Sequence, residues 1–157
     1  MGQTRTDFAP QTVNDETPKS TNVKQAVPFF AVSNLEESLH FYLDGLGFEM
    51  TLKWMDEGKL RWCWLKLGDA ALMLQEFRKE GHDSWLPASK VGEGVTICFM
   101  CEDALAFYRQ VLSRGVKASR PSVGNGMWVT SLADPDGYKL DFESPTDAIE
   151  DTIYAGE

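Results

Sequence analysis

The sequence predicts an α+β fold made of two βαβββ modules. The first indication is a repeated helical motif, Leu-His-Phe-Tyr at 39–42 and Leu-Ala-Phe-Tyr at 105–108. The second is the turn sequence Asp-Pro-Asp-Gly at 134–137, in which proline presets φ and glycine supplies a positive φ. The residues after this turn alternate between apolar and charged, which is typical of a strand with one face on the core. Two similar halves, the second closing with this turn and strand, therefore predict a duplicated unit.

The length of 157 residues is that of one ordinary domain, and it is long enough to bury a core without disulfides. The polar N-terminal residues predict a flexible tail. The predicted division is an N-terminal tail at 1–24, a single domain at 25–145 and a C-terminal tail at 146–157, with the first module at 25–77, a linking loop at 78–93 and the second module at 94–145.

Both modules carry a capped helix. Asn34 is a good N-cap residue with Glu37 in a capping-box position, and Asp103 caps the second helix. Gly45 and Gly115 predict where the two helices end. Alternating or short apolar runs between turn residues predict the strands, at 26–32, 48–54, 60–67 and 70–77 in the first module and at 95–101, 116–119, 127–133 and 138–143 in the second.

Charge and composition exclude several classes of protein. The net charge is −9, and the three basic residues within 1–24 match three acidic ones, so the whole excess lies on the rest of the chain. This negative charge argues against a nucleic-acid partner, because the phosphates of nucleic acids bind to basic protein surfaces. No run of eighteen apolar residues and no apolar leader is visible, so we expect no membrane partner and a cytoplasmic location.

Three cysteines, Cys63, Cys98 and Cys101, agree with a reducing compartment, since they cannot all pair. Cys98 and Cys101 have the spacing of a CxxC motif but fall on a predicted strand. Residues three apart on a strand face opposite sides, so we expect no disulfide and no shared metal between them.

The chain resembles the vicinal oxygen chelate superfamily, which includes glyoxalase I, bleomycin resistance proteins and extradiol dioxygenases. The resemblance covers about 25–145. It rests on four motifs in their order and spacing, namely Val-Ser-Asn-Leu at 32–35, the Phe-Tyr helix ending in Leu-Gly-Phe at 46–48, the second Phe-Tyr pair at 107–108, and Asp-Pro-Asp-Gly-Tyr at 134–138. It implies a curled mixed sheet around a cleft, the glyoxalase/bleomycin resistance fold, and a homodimer.

The resemblance also implies four positions at which the metal enzymes of this family carry His, Gln or Glu. Aligning the motifs puts these positions on Val27, on Met73 (or Leu72 if the register slips by one), on Thr96 and on Asp141. Of these side chains Asp141 alone is an ordinary metal ligand, whereas a divalent-metal enzyme site needs about three protein ligands. We therefore predict no bound metal and no cofactor, as in the bleomycin-resistance-like members.

Aromatic and cleft-facing residues are the candidates for binding a small-molecule ligand. Trp62 and Trp64 share a strand face, and five tryptophans is a high number for this length. An aromatic-walled pocket stacks planar or cationic ligands, although core or interface packing is the alternative for each tryptophan. The predicted ligand-binding residues are Phe29, Trp62, Trp64, Trp85, Thr96, Met100, Trp128 and Asp141.

The sequence thus favours a metal-free small-molecule-binding protein that sequesters an aromatic or cationic ligand in a cleft. The alternative is a metal-dependent lyase or dioxygenase of the same superfamily with a displaced metal site that uses Glu76, His82, Asp141 and Glu143. A third possibility is a vestigial cleft in a protein that serves assembly or regulation.

Overall fold

The computed structural model describes residues 11–13, 22–78 and 86–156 and contains two four-stranded mixed sheets with a helix in each half. This confirms the predicted α+β fold of two βαβββ modules. The first module contains β1 (Phe29–Val32), α1 (Leu35–Leu39), a π-helical segment (His40–Gly45), β2 (Glu49–Asp56), β3 (Lys59–Leu67) and β4 (Ala70–Glu76). The second contains β5 (Thr96–Met100), α2 (Ala104–Ser113), β6 (Ser122–Gly124), β7 (Met127–Ala133) and β8 (Lys139–Pro145).

The two sheets have the same strand plan. The first sheet has the order β1-β4-β3-β2 and the second the order β5-β8-β7-β6. In each module the first strand pairs in parallel with the last, and the remaining neighbours are antiparallel. The two modules thus have the same topology, as the repeated helical motif predicts.

The first helix is divided into a short α-helix and a π-helical segment. Asn34 caps it by accepting a hydrogen bond from the Glu37 amide, as predicted. The segment ends where the Leu46 amide donates to the Phe41 carbonyl, an i→i−5 bond of 3.0 Å. Gly45 lies against the second module here, and a Cβ at this residue would come within 2.7 Å of Val116 Cγ2. The helix therefore needs glycine at its point of contact with the other half.

One continuous core joins the halves through aromatic rings. Phe48 of the first module contacts Phe99 of β5 edge to face, with ring centroids 6.0 Å apart. Phe99 in turn stacks on Phe142 of β8, which stacks on Phe107 of α2. The fully buried side chains around these rings include Val32, Tyr42, Leu65, Leu72, Leu74, Val111 and Leu140.

The turn at 134–138 attaches the second module to β1 and to the π-helical segment of the first. The buried Tyr42 hydroxyl donates to Asp134 Oδ2 at 2.9 Å, and the Ser33 amide donates to Asp136. The Tyr138 hydroxyl donates to the Ala31 carbonyl, and its ring stacks on Phe30 at 4.1 Å. The turn that the sequence singles out as a strand boundary is thus also the link between modules.

The predicted strand at 116–119 is wrong. This segment contributes one hydrogen bond to the sheet, from the Ser119 amide to the Ser131 carbonyl, and the edge strand is instead β6. The reason is the tight turn between β6 and β7, where Asn125 and Gly126 both have positive φ (54° and 72°). Two positive φ values suit the right-handed twist of a hairpin, so β6 begins after Pro121.

The C-terminal residues lie along the outer edge of the second sheet. Ile153 forms a bridge with Ser122, and the Tyr154 amide donates to the Pro121 carbonyl. Among the described residues there is no helix that is both long and apolar enough to cross a membrane.

Candidate functional site

The outer surface of the first sheet carries a set of apolar side chains that we call the apolar sheet face. Opposite residues in a sheet share a face, so the strand register defines its members. One cross-strand row runs Phe29–Met73–Trp64–Leu52, and the next row contains Trp62 and Trp54 beside Gln75. The apolar sheet face thus consists of Phe29, Leu52, Trp54, Trp62, Trp64 and Met73.

Much of the apolar sheet face is open. Phe29 is 41% exposed, Leu52 57% and Trp54 43%, whereas Trp62 and Trp64 are half-buried. The opposite side of the same strands carries the buried residues of the core. Monomeric proteins seldom leave so many large apolar side chains contiguous and exposed, so this surface is of the kind that binds a ligand or a partner.

The strand register shows that Met73, and not its neighbour Leu72, belongs to this face. Met73 pairs with Phe29 and with Trp64, whereas Leu72 is fully buried on the core side. Of the two alternatives for the family position on β4, Met73 is therefore the one that shares a face with Phe29 and Trp64. Val27 precedes β1 and is half-buried.

The outer surface of the second sheet has a different character, and we call it the acidic sheet face. On β5 it consists of Thr96, Cys98 and Met100, and on β8 of their opposite residues Lys139, Asp141 and Glu143, so two carboxylates outnumber one ammonium group. Cys98 is directly opposite Asp141 and Met100 directly opposite Glu143. The alternating residues Phe99, Leu140 and Phe142 point into the core instead. The predicted sharing of one strand face by Asp141 and Glu143 is confirmed.

Three potential ligand atoms converge on the acidic sheet face. The Cys98 Sγ atom and one carboxylate oxygen each of Asp141 and Glu143 lie within 4.8 Å of one another. Burial, and then a hydrogen bond to Glu143, raise the pKa of the Cys98 thiol above its ordinary value. The free thiol is therefore protonated at neutral pH, and a bound cation would favour its thiolate form.

Two hollows adjoin this face. One of about 350 Å³ is lined by Thr96 and Asp141 together with Lys139 and the hydroxyl groups of Ser119 and Ser131. A larger groove of about 910 Å³ follows β5 and includes Cys98 and Met100, together with Gly68, Phe107 and Arg114 among others. Both volumes lie within or close to the range of small-molecule sites.

The structure brings together some of the predicted ligand-binding residues and separates others. Phe29, Trp62 and Trp64 lie on the apolar sheet face, and Thr96, Met100 and Asp141 lie on the acidic sheet face. Each set belongs to one module, and neither hollow beside the acidic face contains a residue of the apolar face.

Two further tryptophans do not join these sets. Trp128 of β7 is opposite Val123 and Ser144, which are buried, and contacts the Tyr154 ring edge to face. It therefore faces away from Asp141, on the other side of the second sheet. Trp85, like His82, falls outside the residues that the structure describes.

The residues of the enzymatic alternative are not assembled among the described residues. Glu76 lies 3.7 Å from Lys59 beside Asn34 and Leu35, in the first module and on the side of α1. Asp141 and Glu143 lie in the second module. A displaced site that combines all of them has no support from this arrangement.

These features define a protein of the glyoxalase class by fold, and the sequence comparison gives the same result. Residues 24–142 match the Glyoxalase/Bleomycin resistance protein/Dioxygenase superfamily, and the chain belongs to this family. No curated protein matches the sequence.

Solved structures of the same fold resemble the chain at low sequence identity. TnmS3, an antibiotic binding protein from Streptomyces sp. CB03234, aligns with a TM-score of 0.61 at 20% identity over 81% of this chain and 100% of its own. TioX from Micromonospora sp. ML1 aligns with a TM-score of 0.58 at 15% identity over 80% and 99%. A glyoxalase/bleomycin resistance protein from Streptomyces sp. CB03234 aligns with a TM-score of 0.58 at 20% identity over 76% and 98%. At these identities the likeness concerns the fold alone.

The metal of the family's enzymes does not fit the residues at its four positions. Val27 has no donor atom, and Met73 offers a thioether among aromatic rings on the apolar sheet face. Thr96 and Asp141 offer a hydroxyl and one carboxylate in the other module. A hard or borderline divalent ion needs about three nitrogen, oxygen or thiolate ligands, so this donor set is insufficient.

Proposed function

We propose that this protein binds a small aromatic or cationic molecule, without help from the family's metal, in a cleft of a homodimer and thereby sequesters it. The observation that carries the proposal is the pair of cross-strand rows on the apolar sheet face, in which Trp62 and Trp64 lie beside Phe29 and Met73. A protein that used the four family positions for a metal would carry ligating side chains there instead.

The chemistry of the two faces supports this ligand class. Indole rings stack on planar molecules and attract cations through their π faces, with about 0.5–2 kcal/mol per contact. Asp141 and Glu143 add negative charge on a partly buried surface, which favours a positively charged group and disfavours an anion. Stacking would supply affinity, and the carboxylates would select the sign of the ligand's charge.

A second copy of the chain is the proposed means of uniting the two faces. In one chain the apolar and acidic faces belong to different modules, and the apolar face leaves Leu52 and Trp54 open to solvent. A dimer in which the acidic face of one protomer covers the apolar face of its partner would bury these residues and enclose a cleft. That the structurally similar TnmS3 is described as an antibiotic binding protein agrees with such a use of the fold.

Binding is tested with ethidium, a planar aromatic cation, and with 1-anilinonaphthalene-8-sulfonate, a planar aromatic anion, in buffer containing EDTA. We expect ethidium to quench tryptophan fluorescence and raise the unfolding temperature, and to bind more tightly than the anion. Trp64→Ala should weaken binding by about tenfold or more. Trp128→Ala is the matched control, because this indole lies on the other side of the second sheet, against Tyr154.

The outcome distinguishes the proposal from a vestigial cleft. Failure of ethidium to bind, or equal losses in Trp64→Ala and Trp128→Ala, would refute it. For the dimer, sedimentation velocity should give a mass of two chains for the wild-type protein and of one chain for Leu52→Asp. A wild-type protein that sediments as a monomer at ligand-binding concentrations would exclude the shared cleft.

A further inference from the structure

The acidic sheet face combines sulfur and oxygen donors in one compact block. Because Cys98 is opposite Asp141 and Met100 is opposite Glu143, two sulfur atoms alternate with two carboxylates on the same surface. Met100 is 65% exposed, an unusual position for a thioether that has no role in packing. The three strongest donors, from Cys98, Asp141 and Glu143, are mutually within 4.8 Å.

We propose that Cys98, Asp141 and Glu143 bind one zinc-class divalent cation. Three protein ligands with a remaining open position are the usual composition of an accessible zinc site. Zinc–ligand bonds of about 2.0–2.3 Å in a tetrahedron place donor atoms about 3.3–3.6 Å apart, so side-chain rotations that close the present separations by about 1 Å complete the site. On binding, the thiol proton leaves to solvent and a zinc–sulfur bond forms, with no oxidation or reduction.

The donor set also decides which cations compete. A thiolate selects zinc, cadmium and similar ions over magnesium and calcium, which prefer oxygen ligands alone. The thioether of Met100, opposite Glu143, is a further soft donor on the same face. We therefore expect cadmium and zinc to bind and magnesium to have no effect at the same concentration.

This site shares Asp141 with the family's four metal positions but is otherwise different, since Cys98 and Glu143 are outside those positions and Val27, Met73 and Thr96 take no part. The existence of this site does not depend on the proposed function, in which the ligand is held without a metal. Its consequence for that function is competition, because a bound cation would occupy the carboxylates that favour a positively charged ligand.

The test uses the full chain, reduced and metal-free, titrated with CdCl₂ while the ultraviolet thiolate-to-metal charge-transfer absorption is recorded. Calorimetry with ZnCl₂ gives the affinity. We expect one ion per chain, with the absorption lost in Cys98→Ser and the zinc affinity lowered on the order of tenfold or more. Cys101→Ser is the matched control, because the Cys101 thiol donates to the Glu143 carbonyl and is not part of the cluster.

A second pair of variants separates the thiol from the carboxylates. Asp141→Asn and Glu143→Gln should each lower zinc affinity on the order of tenfold, with an unchanged unfolding temperature of the metal-free protein. The proposal is overturned by full charge-transfer absorption in Cys98→Ser, by its loss in Cys101→Ser, by wild-type affinity in both carboxylate variants, or by no heat at millimolar zinc. Since no organic ligand is present, none of these results bears on ethidium binding in EDTA.

Discussion

Replacement of Tyr42 by phenylalanine removes one hydroxyl group and leaves the ring in place. The Tyr42 side chain is fully buried, and its hydroxyl donates to Asp134 Oδ2 at 2.9 Å. The other carboxylate oxygen, Oδ1, already accepts from the amides of Asp136 and Tyr138. The phenylalanine ring retains the edge contact with Phe48, so the change isolates one hydrogen bond between the modules.

The expected loss follows from burial and charge. A hydrogen bond to an ionised group contributes about 1.5–3 kcal/mol, and the acceptor here is 5% exposed, so water does not replace the lost donor without rearrangement. We therefore expect Tyr42→Phe to lower the free energy of unfolding by about 2–3 kcal/mol. At about 2–4 °C per kcal/mol for a chain of this size, the unfolding temperature should fall by about 4–12 °C.

Urea denaturation monitored by circular dichroism measures this change, and the duplication supplies the control. Tyr108 occupies the corresponding place in α2 and is likewise buried, but its hydroxyl makes no hydrogen bond within the part of the chain that the structure describes. Tyr108→Phe should stay within about 0.5 kcal/mol of the wild-type protein. Equal effects of the two substitutions would show that the Tyr42–Asp134 bond does not stabilise the fold in the manner described.

Three other changes give expected results. Burial raises the pKa of Asp134 in the folded protein, so the stabilising contribution of its protonated form is present below the unfolded pKa of about 3.9 and is lost as pH rises through the folded value. The stability of Asp134→Asn relative to the wild-type protein should therefore increase as the pH rises above about 4, and a constant difference in urea midpoints would contradict this. Gly92→Ala should destabilise the protein by at least about 1 kcal/mol more than Gly94→Ala. Both glycines have positive φ, but a Cβ at Gly92 would lie 2.7 Å from the Gly137 carbonyl oxygen. Similar unfolding temperatures of the two variants would count against this prediction. Asn34→Ala should cost about 1 kcal/mol in chemical denaturation through loss of the α1 cap, and no loss would mean that the cap is not needed.

The fold could be predicted because its signals are local and occur twice. Helix caps at Asn34 and Asp103 and the turn at 134–137 each specify the backbone within a few residues. The edge strand is at 122–124 and not at 116–119 because Asn125-Gly126, a strong hairpin signal, fixes the position of β6. The division of the first helix was not predictable, since it depends on a contact between Gly45 and Val116 of the other module.

The candidate site was predictable only within each sheet. Alternation along β8 correctly placed Asp141 and Glu143 on one face, but their approach to Cys98 depends on the parallel pairing of β5 with β8. Trp128, like Trp64, is a tryptophan on a predicted strand, and the sequence does not distinguish the two. The pairing of β7 with β6 shows that Trp128 lies on the side of the second sheet opposite to Asp141. Sequence patterns indicate which residues of one strand share a face. Which residues of different strands lie next to each other depends on how the strands pair in the folded sheet.

The attachment of the turn at 134–138 to β1 also limits how such modules can evolve. A chimera that takes its first module from one relative and its second from another must still match Tyr42 with Asp134 and Phe30 with Tyr138. Recombination between family members should therefore give the more stable chimeras when both partners of these contacts are inherited together, and halves drawn from lineages that lack one partner should assemble with lower stability.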